Sequence, residues 1–170
     1  MAPQLRQMNV SYVDHEDRLM LRISNSEDEE YRIWCTRRFT RLVLDRFESE
    51  FQKEVVATAP VPQEARRDVA QMKHGQAIKE ESFKQAYTAE PTEFPLGEGG
   101  VLATTLKYGI NDKGVMSLNI SDGKKKAMSL NLNQNLQHQF YELLRRAAEK
   151  AKWFDAPSAT EVAASSGVVH

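Results

Sequence analysis

The chain has 170 residues, which is enough for one domain or for two small units that share a core. Its composition, with 41% hydrophobic and 28% charged residues, is ordinary for a globular protein in water. The formal net charge of −1 conceals an asymmetry, because residues 101–155 carry nine Lys and Arg against five Asp and Glu. A basic excess this small attracts anions locally but does not by itself steer nucleic acid to a protein.

Three features of the sequence indicate the compartment of the protein. Cys35 is the single cysteine, which excludes an intramolecular disulfide framework and fits a reducing environment. The first twenty residues lack the apolar centre of a signal peptide and contain three acidic residues. No apolar run approaches the roughly 20 residues that cross a bilayer. The sequence therefore predicts a cytoplasmic protein without a membrane partner.

Three strands are predicted near the amino terminus. Apolar residues alternate with polar ones from Met8 to Tyr12, from Leu19 to Ile23 and from Tyr31 to Cys35. The connections are short and polar, Asp14–Asp17 being the first of them, so the strands should form an antiparallel meander. A helix should follow, capped by Thr36, with a core-facing stripe at helical spacing: Phe39, Leu42, Val43, Phe47 and Phe51.

The outer face of this meander is the first candidate for function. If the alternating apolar residues point to the core, then Met20, Arg22, Arg32 and Trp34 point the other way. A tryptophan between two arginines on an open sheet can stack an unpaired base while the guanidinium groups bind phosphate. The alternative is that Trp34 packs against the middle helix or against another subunit, since exposed large apolar residues mark interfaces.

Proline residues separate this unit from the middle of the chain. Pro60 and Pro62 should end the first helix, and residues 63–87 should then form a polar, weakly amphipathic helix. Residues 88–100 are rich in Pro and Gly and predict an irregular loop.

The second half of the chain repeats the pattern of the first. Shifting residues 18–47 by 97 positions pairs Leu21 with Leu118, Ile23 with Ile120 and Phe47 with Leu144, and Leu19 is taken to pair with Val115. The corresponding outer face carries Asn119 and Asn131, beside a hairpin turn that holds Lys124, Lys125 and Lys126. Asn133 should cap the last helix.

These patterns together predict the fold. We expect an α+β protein of two repeated antiparallel β-meander–helix units (β-β-β-α), joined by an extra polar helix and packed about a pseudo-twofold axis. The predicted boundaries lie within one compact domain: residues 5–56 for the first unit, 57–100 for the connector, 101–155 for the second unit and 156–170 for a disordered tail.

Catalytic motifs find little support in the sequence. The four histidines have no two members at a metal-binding spacing, and Cys35 lies in mid-strand on the predicted core face. Paired-carboxylate, nucleophile-elbow and glycine-rich nucleotide signatures are missing. We therefore expect a binding module that is not an enzyme, with no cofactor and no metal site.

At the level of architecture, residues 5–154 resemble the Whirly and PUR-type proteins that bind single-stranded nucleic acid. The resemblance consists of the repeat, the order of elements and the aromatic end of the last helix at Trp153 and Phe154. It implies sequence-tolerant binding of single-stranded DNA or RNA across the sheets, often in a homo-oligomer. Carried over by position, it implies that these residues contact the nucleic acid: Arg22, Arg32, Trp34, Asn119, Asn131 and the turn Gly123–Lys126.

The competing hypothesis is a protein-interaction or oligomeric adaptor module. Its contact would consist of Met20, Trp34 and the polar helix 63–87. Trp and Arg are the residue types enriched at interface hot spots, so they fit both hypotheses equally well.

Overall fold

The computed structural model describes residues 3–79 and 83–154, and it confirms an α+β fold. The elements follow in this order: β1 Leu5–Val13, β2 Arg18–Asn25, β3 Glu30–Cys35, α1 Arg37–Thr58, a 3-10 turn Gln63–Ala65, α2 Arg66–Ala77, β4 Val101–Leu102, β5 Thr105–Ile110, β6 Met116–Ser121, β7 Ala127–Leu132 and α3 Gln134–Lys150. The strands form two sheets, one in the order β1-β2-β3-β4 and one in the order β5-β6-β7.

The first sheet is the meander that the alternating pattern predicts. β1 pairs antiparallel with β2, and β2 with β3. The core-facing side chains of β2 and β3 are at most 2% exposed, and they comprise Leu19, Leu21, Ile23, Ile33 and Cys35. Tyr31 is the exception, because it is only half-buried at the start of β3. Burial of these aliphatic side chains, at roughly 25 cal/mol per Å² of apolar surface, stabilises the sheet.

β4 was not foreseen as part of this sheet. It pairs in parallel with β3, with Val101 opposite Ile33 and Leu102 opposite Trp34. The predicted start of the second unit at residue 101 is therefore one strand early, because residues 101–102 complete the first sheet. The second meander begins with β5 at Thr105.

The second sheet has the same cross-strand register as the first. Leu19 lies opposite Cys35 on β2 and β3, and Met116 lies opposite Leu132 on β6 and β7. Both pairs are related by a shift of 97, so Met116, which is 1% exposed, is the counterpart of Leu19. The pairing of Leu19 with Val115 was therefore wrong. The shared register agrees with a repeat. Two further points stay predictions: that the repeat arose by duplication, and that its two units pack about a pseudo-twofold axis.

The two long helices begin at the predicted caps. The Thr36 hydroxyl accepts a hydrogen bond from the Phe39 amide at 3.2 Å, and the Asn133 carboxamide accepts one from the Leu136 amide at 2.9 Å. The stripe of α1 differs at one position from the prediction. Leu42 is 38% exposed, while Leu44 is 6% exposed and faces the core.

The predicted connector helix is shorter than expected. α2 ends at Ala77, so a continuous helix over residues 63–87 was wrong, and the first helix extends to Thr58 rather than stopping at 56. α2 docks on α1: Ala70 is 7% exposed, and the Lys73 ammonium donates to the Thr58 hydroxyl at 3.0 Å. The predicted tail at 156–170 lies outside the described residues.

Buried residues of both meanders and of all three helices form one continuous cluster in the part of the chain that is described. At its centre, Phe47 of α1 stacks on Phe140 of α3 with ring centroids 5.4 Å apart. Trp153 closes one end, where its indole N–H donates to the Asp17 carboxylate at 3.0 Å. Within residues 3–79 and 83–154, none of the helices has the length and apolar character that crossing a membrane requires.

Candidate functional site

The four predicted site residues of the first sheet do come together. Met20 lies directly opposite Trp34, and Arg22 lies directly opposite Arg32, all on the face turned away from the buried aliphatic side chains. Each of the four is half-buried rather than exposed. A second stretch of the chain lies over three of them, Arg22, Arg32 and Trp34.

Residues 87–102, called the covering segment below, pack on this face. The Trp34 indole N–H donates to the Gly99 carbonyl at 3.0 Å. The Arg32 guanidinium donates to the Glu98 carbonyl at 2.7 Å, and its carbon atom lies 4.5 Å from the centroid of the Phe94 ring. These contacts use the donors and the cationic face that the sequence analysis assigned to a ligand.

Tyr87 closes the other half of the same face. Its ring lies under Arg22, with 4.5 Å from the guanidinium carbon to the ring centroid, and its hydroxyl donates to Glu30 at 2.8 Å. Burial, reinforced by the hydrogen bond to Glu30, raises the pKa of Tyr87 to about 12. Glu30 is 1% exposed and also accepts from Arg32, so both charges are neutralised within the protein. The first sheet therefore offers no open platform.

The outer face of the second sheet, in contrast, is open. Its side chains are small and polar, and they lie in cross-strand rows: Lys107, Asn119 and Ser129 in one, and Gly109, Ser117 and Asn131 in the next. Hydrogen bonds link side chains within the rows: the Ser117 hydroxyl donates to the Asn131 carboxamide at 3.0 Å, and the Asn119 carboxamide donates to the Ser129 hydroxyl at 2.9 Å. These rows contain one cation and no carboxylate.

The lysine turn lies at one end of β7. The Asp122 carboxylate accepts from the backbone amides of Lys124 at 2.8 Å and Lys126 at 3.2 Å, and these bonds lower the pKa of Asp122. Gly123 has φ of 75°, and a Cβ there would lie 2.9 Å from the Thr104 hydroxyl oxygen, so glycine is required. The Lys126 ammonium donates to the Leu96 carbonyl of the covering segment at 3.3 Å. Lys124 and Lys125 are exposed.

A groove of about 560 Å³ follows the open edge of β7. One wall is β7 itself, at Ser129 and Asn131, and the other is formed by Leu5, Asn25 and Tyr31 of the first sheet. The Asp122 amide donates to the Lys126 carbonyl at 3.1 Å, so these two residues form a hydrogen-bonded pair of the β6–β7 ladder. Such pairs alternate with pairs whose backbone groups point away from the partner strand, and Ser129 and Asn131 belong to the second kind. The groove therefore offers an aromatic ring, the Asn131 amide and backbone groups that form no bond to residues 3–79 or 83–154.

Sequence reasoning missed this groove because it assigned Tyr31 to the core. The ring is half-buried, and burial together with Glu29 raises the pKa of its hydroxyl, which donates to that carboxylate at 3.3 Å. Its partial exposure could have been predicted from its position, because Tyr31 is the first inward-facing residue of β3 and the end of a sheet is covered least by the rest of the core.

A second group that the sequence did not predict lies between the helices. His74 of α2 and His138 of α3 are 64 residues apart, yet their Nδ1 atoms are 2.8 Å from each other. His74 Nε2 lies 2.9 Å from the Glu142 carboxylate, which also accepts from Arg145 and Arg146. Among residues 3–79 and 83–154, no group of three or more His, Cys, Asp or Glu could hold a metal ion.

This cluster joins α2 to α3 in a way that depends on protonation. Burial, with His74 next to it, lowers the pKa of His138 to about 4. Burial alone would raise the pKa of Glu142, but the hydrogen bonds from Arg145, His74 and Arg146 lower it well below its usual range. Only one hydrogen atom fits between the two Nδ1 atoms, so a hydrogen atom on both of them would break this contact.

We expect the free energy of unfolding to fall by about 2 kcal/mol between pH 7 and pH 5. The pKa of His138 is lower in the folded protein than the ordinary 6.5, so the unfolded chain binds the proton first. Stability is thus complete above pH 6.5 and is lost as the pH falls toward 4. Urea unfolding at both pH values, followed by circular dichroism, measures the change. His138→Gln should remove most of it, and an undiminished pH dependence in this variant would contradict the assignment.

Comparisons of the chain with models of protein families, with curated proteins and with solved structures find no match.

Proposed function

We propose that this protein binds single-stranded nucleic acid along the outer face of the second sheet and in the groove beside β7. The observation that carries the proposal is an uncovered sheet face whose rows contain no carboxylate, next to exposed lysines and an aromatic-lined groove. We also propose that it acts in the cytoplasm, where a single buried thiol such as Cys35 stays reduced.

The chemistry of the face fits the backbone of a nucleic acid strand. Lys107, Lys124 and Lys125 are exposed cations around the sheet, and cations supply most of the affinity for phosphate. The hydroxyl and carboxamide groups of the rows can bond to sugar and phosphate oxygen atoms. β7 is six residues long, or about 20 Å, so the strand can run along it from the lysine turn toward Asn133.

The groove fits an unpaired base. Single-stranded bases are bound by stacking on aromatic rings and by hydrogen bonds to their edges. Tyr31 supplies the ring, and the Asn131 amide with the outward backbone groups of β7 supplies donors and acceptors. A double helix cannot present its bases in this way, so the proposal predicts preference for single strands.

The alternative of a protein-binding face around Trp34 has less support. The Trp34 indole N–H and the Arg32 guanidinium are bonded to the covering segment, so a partner would have to displace Gly99 and Glu98 first.

We expect a fluorescently labelled oligothymidylate to bind with micromolar affinity at low salt, measured by anisotropy. The dissociation constant should rise by at least about tenfold between about 50 and 200 mM salt, because binding releases counterions. Asn131→Asp adds a negative charge without changing side-chain size and should weaken binding about tenfold. Lys125→Glu should weaken it similarly and reduce the salt slope.

The matched control is Lys150→Glu, the same charge reversal at the exposed end of α3. Its affinity should stay within about twofold of the original. No binding at low salt would overturn the proposal. Equal losses in Lys150→Glu and Lys125→Glu would show that binding reflects net charge rather than this face.

A further inference from the structure

β5 is an edge strand whose apolar side chains are uncovered. It occupies one edge of the second sheet, in the order β5-β6-β7. Tyr108 is 36% exposed and Ile110 is 42% exposed, although both lie on the face that is core elsewhere in this sheet. Leu106, on the same face, is half-buried. An edge strand with exposed apolar residues is a template for pairing with another strand.

The open backbone groups of β5 belong to the same three residues. In the turn that follows, the Asn111 amide bonds to the Val115 carbonyl at 3.0 Å. Because hydrogen-bonded pairs alternate along an antiparallel ladder, Gly109 and Lys107 then form the backbone bonds to β6. The backbone amides and carbonyls of Leu106, Tyr108 and Ile110 point away from β6. No residue in the described ranges 3–79 and 83–154 bonds to the backbone of these three outside the β5–β6 pair.

We infer that β5 pairs antiparallel with β5 of a second copy of this chain, about a twofold axis at Tyr108. In this register Tyr108 faces its own counterpart, and Leu106 faces Ile110 of the second copy. All pairs on the inner face are then apolar, and all outward amides and carbonyls of the strand find partners. A self-complementary patch of this kind is what a twofold interface requires.

The charges on the strand select this register. Lys107 lies opposite Gly109 of the second copy, where there is room for its side chain and no like charge. Sliding the strands by two residues in one direction would place Lys107 opposite Lys107, and like charges directly opposite are destabilising. Sliding them by two residues in the other direction would place Leu106 opposite Asp112, which replaces an apolar pair with a charge. The flank of β5 also carries both signs, since Glu50 and Lys53 of α1 pair at 2.9 Å beside Ile110. The charged side chains near this interface therefore include both signs, so two copies can approach without a net repulsion between like charges.

The resulting sheet would have six strands, in the order β7-β6-β5-β5-β6-β7. Its outer face would be twice as wide, and the exposed apolar side chains of β5 would be covered. The inference rests on the edge of β5 and not on any ligand, so it holds or fails independently of nucleic-acid binding.

Sedimentation equilibrium of the full chain tests the inference. We expect a dimer of twice the 19.4 kDa chain mass at about 100 micromolar protein. Ile110→Lys puts a charge among the apolar pairs and should raise the dimer dissociation constant at least tenfold. The matched control is Val56→Lys on α1, which is 44% exposed and should leave the constant unchanged. A monomer at every concentration, or an Ile110→Lys protein that dimerises as well as the original, would overturn the inference.

A cross-link tests the register. Tyr108→Cys places two thiols at the axis with Cα atoms about 5.5 Å apart, within the range that a disulfide spans. Mild oxidation should give a covalent dimer on a non-reducing gel. The native Cys35 does not interfere, because it is 2% exposed and burial raises its pKa to about 12. Met72→Cys, at a 58% exposed position on α2, is the control and should cross-link far more slowly. Equal rates for the two variants would contradict the proposed axis.

Discussion

Replacing Phe47 with alanine is expected to lower the free energy of unfolding by about 3 to 5 kcal/mol. The Phe47 side chain is 1% exposed, stacks on Phe140 at 5.4 Å and meets the edge of Phe51 at 6.0 Å. Removing the ring leaves a cavity between α1, the helix of the first unit, and α3, the helix of the second unit. Urea unfolding followed by circular dichroism measures the loss.

Leu42→Ala on the same helix is the matched control. Leu42 is 38% exposed, so its truncation leaves no closed cavity and should cost less than about 1 kcal/mol. Similar losses for the two variants would mean that the stripe of α1 faces the core at a different angle. A small loss for Phe47→Ala would mean that α1 and α3 do not share one core.

Replacing Gly100 with alanine is expected to lift the covering segment from the first sheet, at a cost of about 2 kcal/mol or more. Gly100 has φ of 77°, and a Cβ atom there would lie 2.8 Å from the Arg32 carbonyl oxygen and 3.1 Å from the Arg32 Cβ. The neighbouring atoms belong to the backbone of β3 and cannot move without disturbing the sheet. Trp34 should then become more exposed, and its fluorescence emission should shift to longer wavelength.

Gly99→Ala is the control at the adjacent residue. A Cβ at Gly99 has no neighbour within 4 Å, and its carbonyl still accepts the Trp34 indole N–H at 3.0 Å. Stability and emission should therefore stay close to those of the original protein. If Gly100→Ala also leaves both unchanged, the covering segment does not lie on β3 as described.

Much of the fold follows from local patterns in the sequence. Alternation at Leu19, Leu21 and Ile23 predicts a strand with one buried face, because side chains in a strand point alternately to its two sides. The hydroxyl of Thr36 and the amide of Asn133 predict helix starts, since few residue types accept a bond from a free helix amide. The structure confirms these elements. Because their buried faces form the core, the alternate residues of each strand lie on the outer face of its sheet.

The covering segment could not be placed from its own residues. Prolines and glycines between 88 and 100 predict an irregular loop, but the position of a loop depends on which partners it meets in the folded chain. Its partners are Trp34 and Arg32, more than sixty residues earlier in the chain. The alternating pattern predicts that both side chains lie on the outer face of the sheet, and the structure confirms this. The prediction of an open platform was wrong, because the covering segment lies on that face.

The histidine cluster shows the same limit for a different reason. His74 and His138 lie on separate helices, and the spacing of His138 and Glu142 on one helix does not reveal that His74 lies against both of them. They meet because α2 docks on α1 beside α3, which is a property of helix packing rather than of local sequence.

An NMR titration of the isotope-labelled protein with an oligothymidylate tests most directly whether the second sheet is the binding face. The side-chain amide signals of Asn119 and Asn131 should move as the oligonucleotide is added, because both lie on the open rows. The indole N–H signal of Trp34 should stay in place, because that group donates to Gly99 under the covering segment. A large shift of the Trp34 signal with stationary signals from the two asparagines would contradict the assignment and return the site to the first sheet.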